Sequence, residues 1–179
     1  EIHVASNGDE KIEYCDRYFK LPFERFPLKL HNIKAYKKLK KIIYDNNYKI
    51  IHCNTPVGGV LTRLAARKSR KKGTKVIYTA HGFHFYKGAP LLNWIIYYPI
   101  EKLCARWTDC LITINQEDYN LAKEKFKTEQ IELVNGVGVD KNRFDFKMSN
   151  EEKEKIRKDI NLKSDDYVLI QVGELNKNK

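Results

Sequence analysis

No two cysteines stand at Cys-x-x-Cys spacing in this chain: Cys15, Cys53, Cys104 and Cys110 are isolated from one another, and three of them lie in apolar runs. That speaks against a zinc module or a disulfide framework and reads them as small core residues in a reducing, cytoplasmic setting. No apolar run is long enough to cross a bilayer. The longest, Ala89 to Ile100, is interrupted by Asn93 and closed by Glu101 and Lys102, whereas a span needs about 20 residues. A buried core helix is its expected reading, although Trp94, Tyr97, Tyr98 and Trp107 would also suit a helix resting at a lipid headgroup layer. Four catalytic or nucleotide signatures are missing as well: the Gly-Lys-Ser/Thr of a Walker loop, the G-x-G-x-x-G turn, the G-x-S-x-G elbow, and an Asp-x-Asp to hold a divalent ion against a diphosphate. Neither helix-turn-helix spacing nor an RNP-type strand occurs, so nucleic acid is not an expected partner. Initiator Met and a charged-then-apolar leader are also lacking, and Glu1 to Ser6 reads as a buried strand with a polar turn, so the chain is expected to start inside a fold.

What is present is charge and short apolar runs. The formal charge of +11 makes the surface attractive to anions, whether phosphate groups of a small ligand, an anionic bilayer or nucleic acid, and charge alone does not choose among them. Much of it sits in Lys37–Lys41 and Arg67–Lys72, which read as solvated helix faces. Runs apolar on both alternations recur at Ile2–Ala5, Lys49–Cys53, Lys75–Thr79, Cys110–Ile114, Ile131–Val134 and Tyr167–Val172, with Arg17–Leu21 as a further short strand. Strands covered on both faces have this character. Between them, Ile33, Tyr36, Leu39 and Ile43 share one helix face, and Val60, Leu61, Leu64 and Ala65 share another. Asn115 before Glu117 and Asp118, and Ser149 before Glu152, cap two more helices, while Gly73 stops the basic run. The fold class is therefore α/β, a Rossmann-like doubly wound parallel sheet.

In such a sheet ligands bind beyond the carboxyl ends of the strands. The segments found there are Ser6-Asn7-Gly8, Asn54-Thr55-Pro56-Val57-Gly58-Gly59, His81-Gly82-Phe83-His84, Asn115, and Asn135-Gly136-Val137-Gly138-Val139-Asp140. Gly58 and Gly59 open a helix, where free N–H groups and absent side chains let an oxyanion approach the backbone; a tight turn that needs small residues is the structural alternative. The stretch from His81 to Gly88 joins two imidazoles, Lys87 and three aromatic rings, which can stack on a sugar and hold a proton donor beside it.

Taken in order, Ile50 to Gly59, Thr79 to Gly88, Tyr98-Pro99-Ile100-Glu101-Lys102 and Asn135 to Asp140 resemble the amino-terminal domain of family 4 glycosyltransferases, in the branch that builds bacterial capsules and exopolysaccharides. The resemblance implies one half of a GT-B enzyme that retains anomeric configuration and uses no metal or other cofactor. Residues 1–146 would be the acceptor-side domain without its first strand and helix. Residues 147–179 would be an interdomain helix and the opening strand of the donor domain. It implies transfer of a hexose or N-acetylhexosamine from a nucleoside-diphosphate sugar, UDP-sugar foremost, to a lipid-linked saccharide at the inner, anionic face of the membrane. By the same resemblance His81 is catalytic, Gly58 and Gly59 approach the donor phosphates or acceptor, and Lys179 falls near a diphosphate-binding lysine; with them Asn54, Thr55, Gly82, Phe83, His84, Lys87, Asn115, Asn135, Gly136 and Asp140, which follow strand ends, are expected to bind acceptor or donor. Asn54 stands where many members have a second histidine, and Glu174 where many have a phosphate-binding arginine. The alternatives are a non-catalytic acceptor- or membrane-binding subunit of a split transferase, and a GT-B sugar epimerase.

Overall fold

A computed structural model of the chain describes residues 1–8, 12–24, 29–136, 138, 140–163 and 165–170. They divide into two units, Glu1–Val137 and Gly138–Lys179. In the first, strands β1 (His3–Ser6), β2 (Arg17–Lys20), β3 (Ile50–Asn54), β4 (Lys75–Ala80), β5 (Cys110–Thr113) and β6 (Gln130–Leu133) alternate from β3 onward with helices α1 (Leu30–Asn46), α2 (Pro56–Arg70), α3 (Leu91–Ala105) and α4 (Gln116–Lys125). All pairings are parallel. They form a two-stranded sheet, β1-β2, and a four-stranded sheet in the order β3-β4-β5-β6. Parallel neighbours demand a crossover connection, which α2, α3 and α4 supply within the four-stranded sheet. This is the Rossmann-like α/β arrangement that the alternating pattern predicts, with its strands in two hydrogen-bonded groups.

One apolar cluster lies under α1 and α2 and contains Leu21, Leu39, Ile43, Ala65, Ala66 and Val76. The other gathers Cys53, Tyr78, Phe83, Phe85, Leu111, Ala122 and Phe126, with Trp94, Tyr97 and Tyr98 against it. Burying Phe85 completely stabilises by roughly 1.5–3 kcal/mol. Its ring stacks on Phe83 at 4.9 Å and meets Tyr98 edge-on at 5.5 Å.

Polar residues fasten the frame. Asp109, just before β5, accepts from the Val76 N–H at 2.8 Å, Arg70 Nε at 2.9 Å and Lys75 Nζ at 3.1 Å. Burial alone would raise its carboxyl pKa, but these donors outweigh it and hold the group below its ordinary value. Arg70 also reaches Glu129, so the basic run is no purely solvated face. Inside, Arg63 donates to the Gly59 carbonyl at 3.0 Å and to Glu101 at 2.8 Å, with its guanidinium 3.9 Å from the centre of the Tyr78 ring. That pair ties α2 to α3 within the core, at a position the apolar periodicity of α2 assigns to neither face.

Several expectations are corrected. The α3 run is not a buried core helix: Leu91, Leu92, Ile95, Ile96, Ile100 and Leu103 are exposed, while Cys104, Ala105 and Glu101 are covered. Ile33 is exposed on α1, where Asn32, Ala35, Leu39 and Ile43 face inward. Strand β1 is only half-buried throughout. Tyr167 to Ile170 form no strand and are exposed, because no ladder partner stands beside them among the described residues; Gln171 and Val172 lie outside those residues. In the second unit, α5 (Lys141–Phe144) and α6 (Asn150–Asp159) are short, and Ser149 and Glu152 close the expected capping box.

Candidate functional site

The carboxyl ends of β3 and β4 are neighbours because Asn54 pairs in register with Thr79. His81 follows β4 directly, and its Nε2 lies 3.3 Å from Asn54 Oδ1, so the ring N–H donates to the amide oxygen. In the neutral ring that bond puts the proton on Nε2 and leaves Nδ1 as an acceptor. Two residues back along each segment, His52 Nε2 and Thr79 Oγ1 are 2.8 Å apart across the same two strands. Both imidazoles are exposed. Sequence reasoning assigned no role to His52 or Thr79; the signal was the alternation of β3, which puts His52 and Asn54 on one face.

A loop of fixed shape carries His81. Gly82 has φ near +129°, a conformation that side chains rarely adopt. Phe83 is buried rather than ligand-facing, and its N–H donates to Asp118 Oδ2 at 3.0 Å. Asp118, itself buried, is held by Asn115: Asn115 Nδ2 donates to Asp118 Oδ2, and Asn115 Oδ1 accepts from the Asp118 N–H, both at 2.8 Å. Asn115 therefore acts as the cap of α4 and as a brace for the loop. His84 packs on Tyr97 with ring centres 4.6 Å apart, and the Lys87 N–H donates to Glu117 at 2.6 Å, leaving its ammonium exposed.

The β3–α2 turn forms the other wall. Thr55 takes φ +64° at the N-cap of α2, and Gly59 N–H returns to its carbonyl at 2.8 Å. The two glycines differ. A Cβ on Gly59 would come within 2.5 Å of the Tyr78 ring, so Gly59 serves the packing of α2 on β4. A Cβ on Gly58 would meet only Thr55 Oγ1, at 2.7 Å. Asn54, Thr55, Gly58, His84 and Tyr97 line a cavity of about 1120 Å³ that also takes in Ser6, Asn7 and Gly8. His81 stands beside it, joined through Asn54. Asn135 and Gly136 follow β6 and do not line that cavity.

In the second unit Asp140 caps α5 by accepting from the Asn142 N–H at 3.0 Å, which accounts for it structurally. Lys179 and Glu174 lie outside the described residues. Among the described residues no three His, Cys, Asp or Glu side chains gather to hold a metal ion. The arrangement offers an imidazole, an amide, a hydroxyl and small backbone turns beside a large recess, a set suited to hydrogen-bonding a polyol or phosphate.

Residues 1–115 match the family described as Glycosyl transferase 4-like. The chain is 49% identical over 180 residues to "Putative glycosyltransferase EpsD" of Bacillus subtilis (strain 168), covering all of this chain and 47% of that protein. It is 28% identical to "Uncharacterized 41.2 kDa protein in cps region" of Klebsiella pneumoniae, over 98% of this chain and 48% of that one. With "UDP-Gal:alpha-D-GlcNAc-diphosphoundecaprenol alpha-1,3-galactosyltransferase" of Escherichia coli it shares 31% identity over 80% of this chain and 35% of the relative. The chain thus spans half or less of the length of these curated relatives.

Proposed function

The chain belongs to the glycosyl transferase 4-like family, and from that premise we propose that it is the acceptor-side part of a retaining transferase in extracellular polysaccharide synthesis. The donor is a nucleoside-diphosphate hexose or N-acetylhexosamine, and the acceptor a lipid-linked saccharide at an anionic membrane surface. A UDP-sugar is favoured by the name of the galactosyltransferase relative. On the same reading residues 1–146 and 147–179 belong to successive domains.

The observation that carries this reading is His81 held against Asn54 at adjoining strand ends, beside a recess floored by Thr55 and Gly58. In the proposed reaction the bond from the anomeric carbon to the diphosphate breaks and a bond to the acceptor oxygen forms. The departing diphosphate takes the acceptor proton, and His81 orients the reacting groups and stabilises the charge that develops. The exposed apolar face of α3 and the basic surface bring the domain to the bilayer.

The test is an assay of the full-length protein with labelled UDP-sugars and a lipid-linked saccharide. His81→Ala should lower kcat by about 100-fold or more while the fold is retained, in keeping with loss of one group that acts on transition-state charge. Turnover of the nucleotide sugar without acceptor would point to an epimerase, and unchanged kcat in His81→Ala would sink the assigned role.

A further inference from the structure

Helix α2 buries the small residues Gly59, Thr62, Ala65 and Ala66, and among them one arginine, Arg63, at 1% exposure. Holding α2 on α3 does not by itself explain a guanidinium there. Its attraction to Glu101 is set against the loss of water around both charges, and apolar side chains of similar volume hold two helices together as well or better. What hydrocarbon cannot do is bond a carbonyl. A guanidinium is planar, with donors in fixed directions, and here they are divided: one terminal nitrogen donates to Glu101 at 2.8 Å, and Nε donates to the Gly59 carbonyl at 3.0 Å. The guanidinium carbon stands 3.9 Å from the centre of the Tyr78 ring.

The bonded residue lies where a tie is needed. Two consecutive glycines loosen the first turn of α2, and Thr55 at its N-cap makes no side-chain cap bond. Gly59 is nonetheless anchored on three sides. Its N–H donates to the Thr55 carbonyl at 2.8 Å, its carbonyl receives Arg63, and it rests on the Tyr78 ring so closely that a Cβ would come within 2.5 Å. Gly58, one residue earlier, lines the recess. Tyr78 belongs to β4, three residues before His81, so the guanidinium that holds the turn after β3 also lies on the strand that delivers the imidazole. On the reading of the Gly58 turn as a wall of the substrate site, we propose that Arg63 is a positioning residue: oriented by Glu101, it fixes the Gly58–Gly59 turn against β4 and so sets the spacing between that turn and His81. It acts from within the core, through the Gly59 carbonyl and the Tyr78 ring.

Two variants of the full-length protein remove the tie without stranding a charge. Arg63→Met with Glu101→Leu replaces the pair by hydrocarbon of similar volume, and Arg63→Lys keeps a cation beside Glu101 but lacks the fork. The Gly59 carbonyl stays satisfied in both by the N–H of residue 63 within the helix. The denaturant midpoints should stay near that of the parent. Amide exchange at Gly59 and Val60 should quicken at least about tenfold, while that at Ala65 and Ala66 is unchanged. In the transferase assay KM for donor or acceptor should rise, with kcat/KM at least about tenfold lower. Unchanged exchange at Gly59 in both variants would overturn the proposal, as would parental kcat and KM in variants whose exchange has quickened. Activity lost only in step with a falling midpoint would show a merely structural pair and would overturn it too. A parent without transferase activity would sink the transferase reading, and the role of Arg63 with it; an active parent beside unaffected variants would sink the role of Arg63 alone.

Discussion

Neighbouring glycines can have opposite reasons for lacking a side chain, and Gly58 and Gly59 are such a pair. Gly59 is pressed against Tyr78, whose ring is itself buried beneath the Arg63 guanidinium and cannot step aside. Gly59→Ala should therefore cost roughly 1–3 kcal/mol by overpacking, read as a lower denaturant midpoint of the full-length protein. Gly58 faces the recess, and its added methyl would meet only a threonine hydroxyl that makes no cap bond and can rotate. Gly58→Ala, which raises helix propensity by up to about 1 kcal/mol, should leave the midpoint unchanged or slightly higher while KM for the sugar substrates rises. Equal losses of stability in the two variants would refute the distinction. The contrast was illegible in the sequence, where both glycines read alike, because it depends on which ring of a distant strand lies under each Cα.

Strand ends and helix starts divide the labour of the sheet. The carboxyl ends carry the recess and its loop; the amino ends carry Asp109, which fastens β4 and β5 through the Val76 N–H, Arg70 and Lys75. Its pKa is lowered in the fold, so it contributes stability that is fully present above the ordinary carboxylate value of 3.8 and lost as pH falls through the lower folded value. Asp109→Asn should be less stable than the parent at pH 6, with the gap closing as both are titrated into acid; a gap independent of pH would refute the linkage. At the other end, Asp118→Ala strips the buried Phe83 N–H of its acceptor, a loss of about 1–3 kcal/mol. It should also depress kcat by freeing the His81 loop, whereas Asp118→Asn, which keeps an acceptor oxygen, should restore most of both. Alternation of apolar runs, the Asn115 cap and the Ser149 box were readable from local pattern, since each depends on residues close in sequence. The Asp118 brace, the Arg63–Glu101 pair and the exposed face of α3 were not, because each is decided by what packs against an element 35 to 38 residues away or by what does not.

At the scale of the whole molecule, charge and one apolar face point the same way. The chain carries a formal +11, and among the described residues no helix is long and apolar enough to cross a membrane. Helix α3 nevertheless leaves Leu91 at 73% and Leu92 and Ile95 each at 63% exposure, with Lys102 and Arg106 also exposed. Large aliphatic side chains beside cations bind well where hydrocarbon meets anionic headgroups, the chains entering the interface and each cation contributing about 1 kcal/mol. If that is the role of the face, the full-length protein should sediment with vesicles containing phosphatidylglycerol and not with pure phosphatidylcholine, and added salt should release it through screening. Leu92→Glu with Ile95→Glu should weaken vesicle binding at least about tenfold without lowering the denaturant midpoint, since both residues are mostly exposed. Should binding be insensitive to lipid charge and salt, or should the double variant bind as the parent does, the lipid surface is the wrong partner. A fall in the midpoint would show instead that the face is buried against another part of the full-length protein.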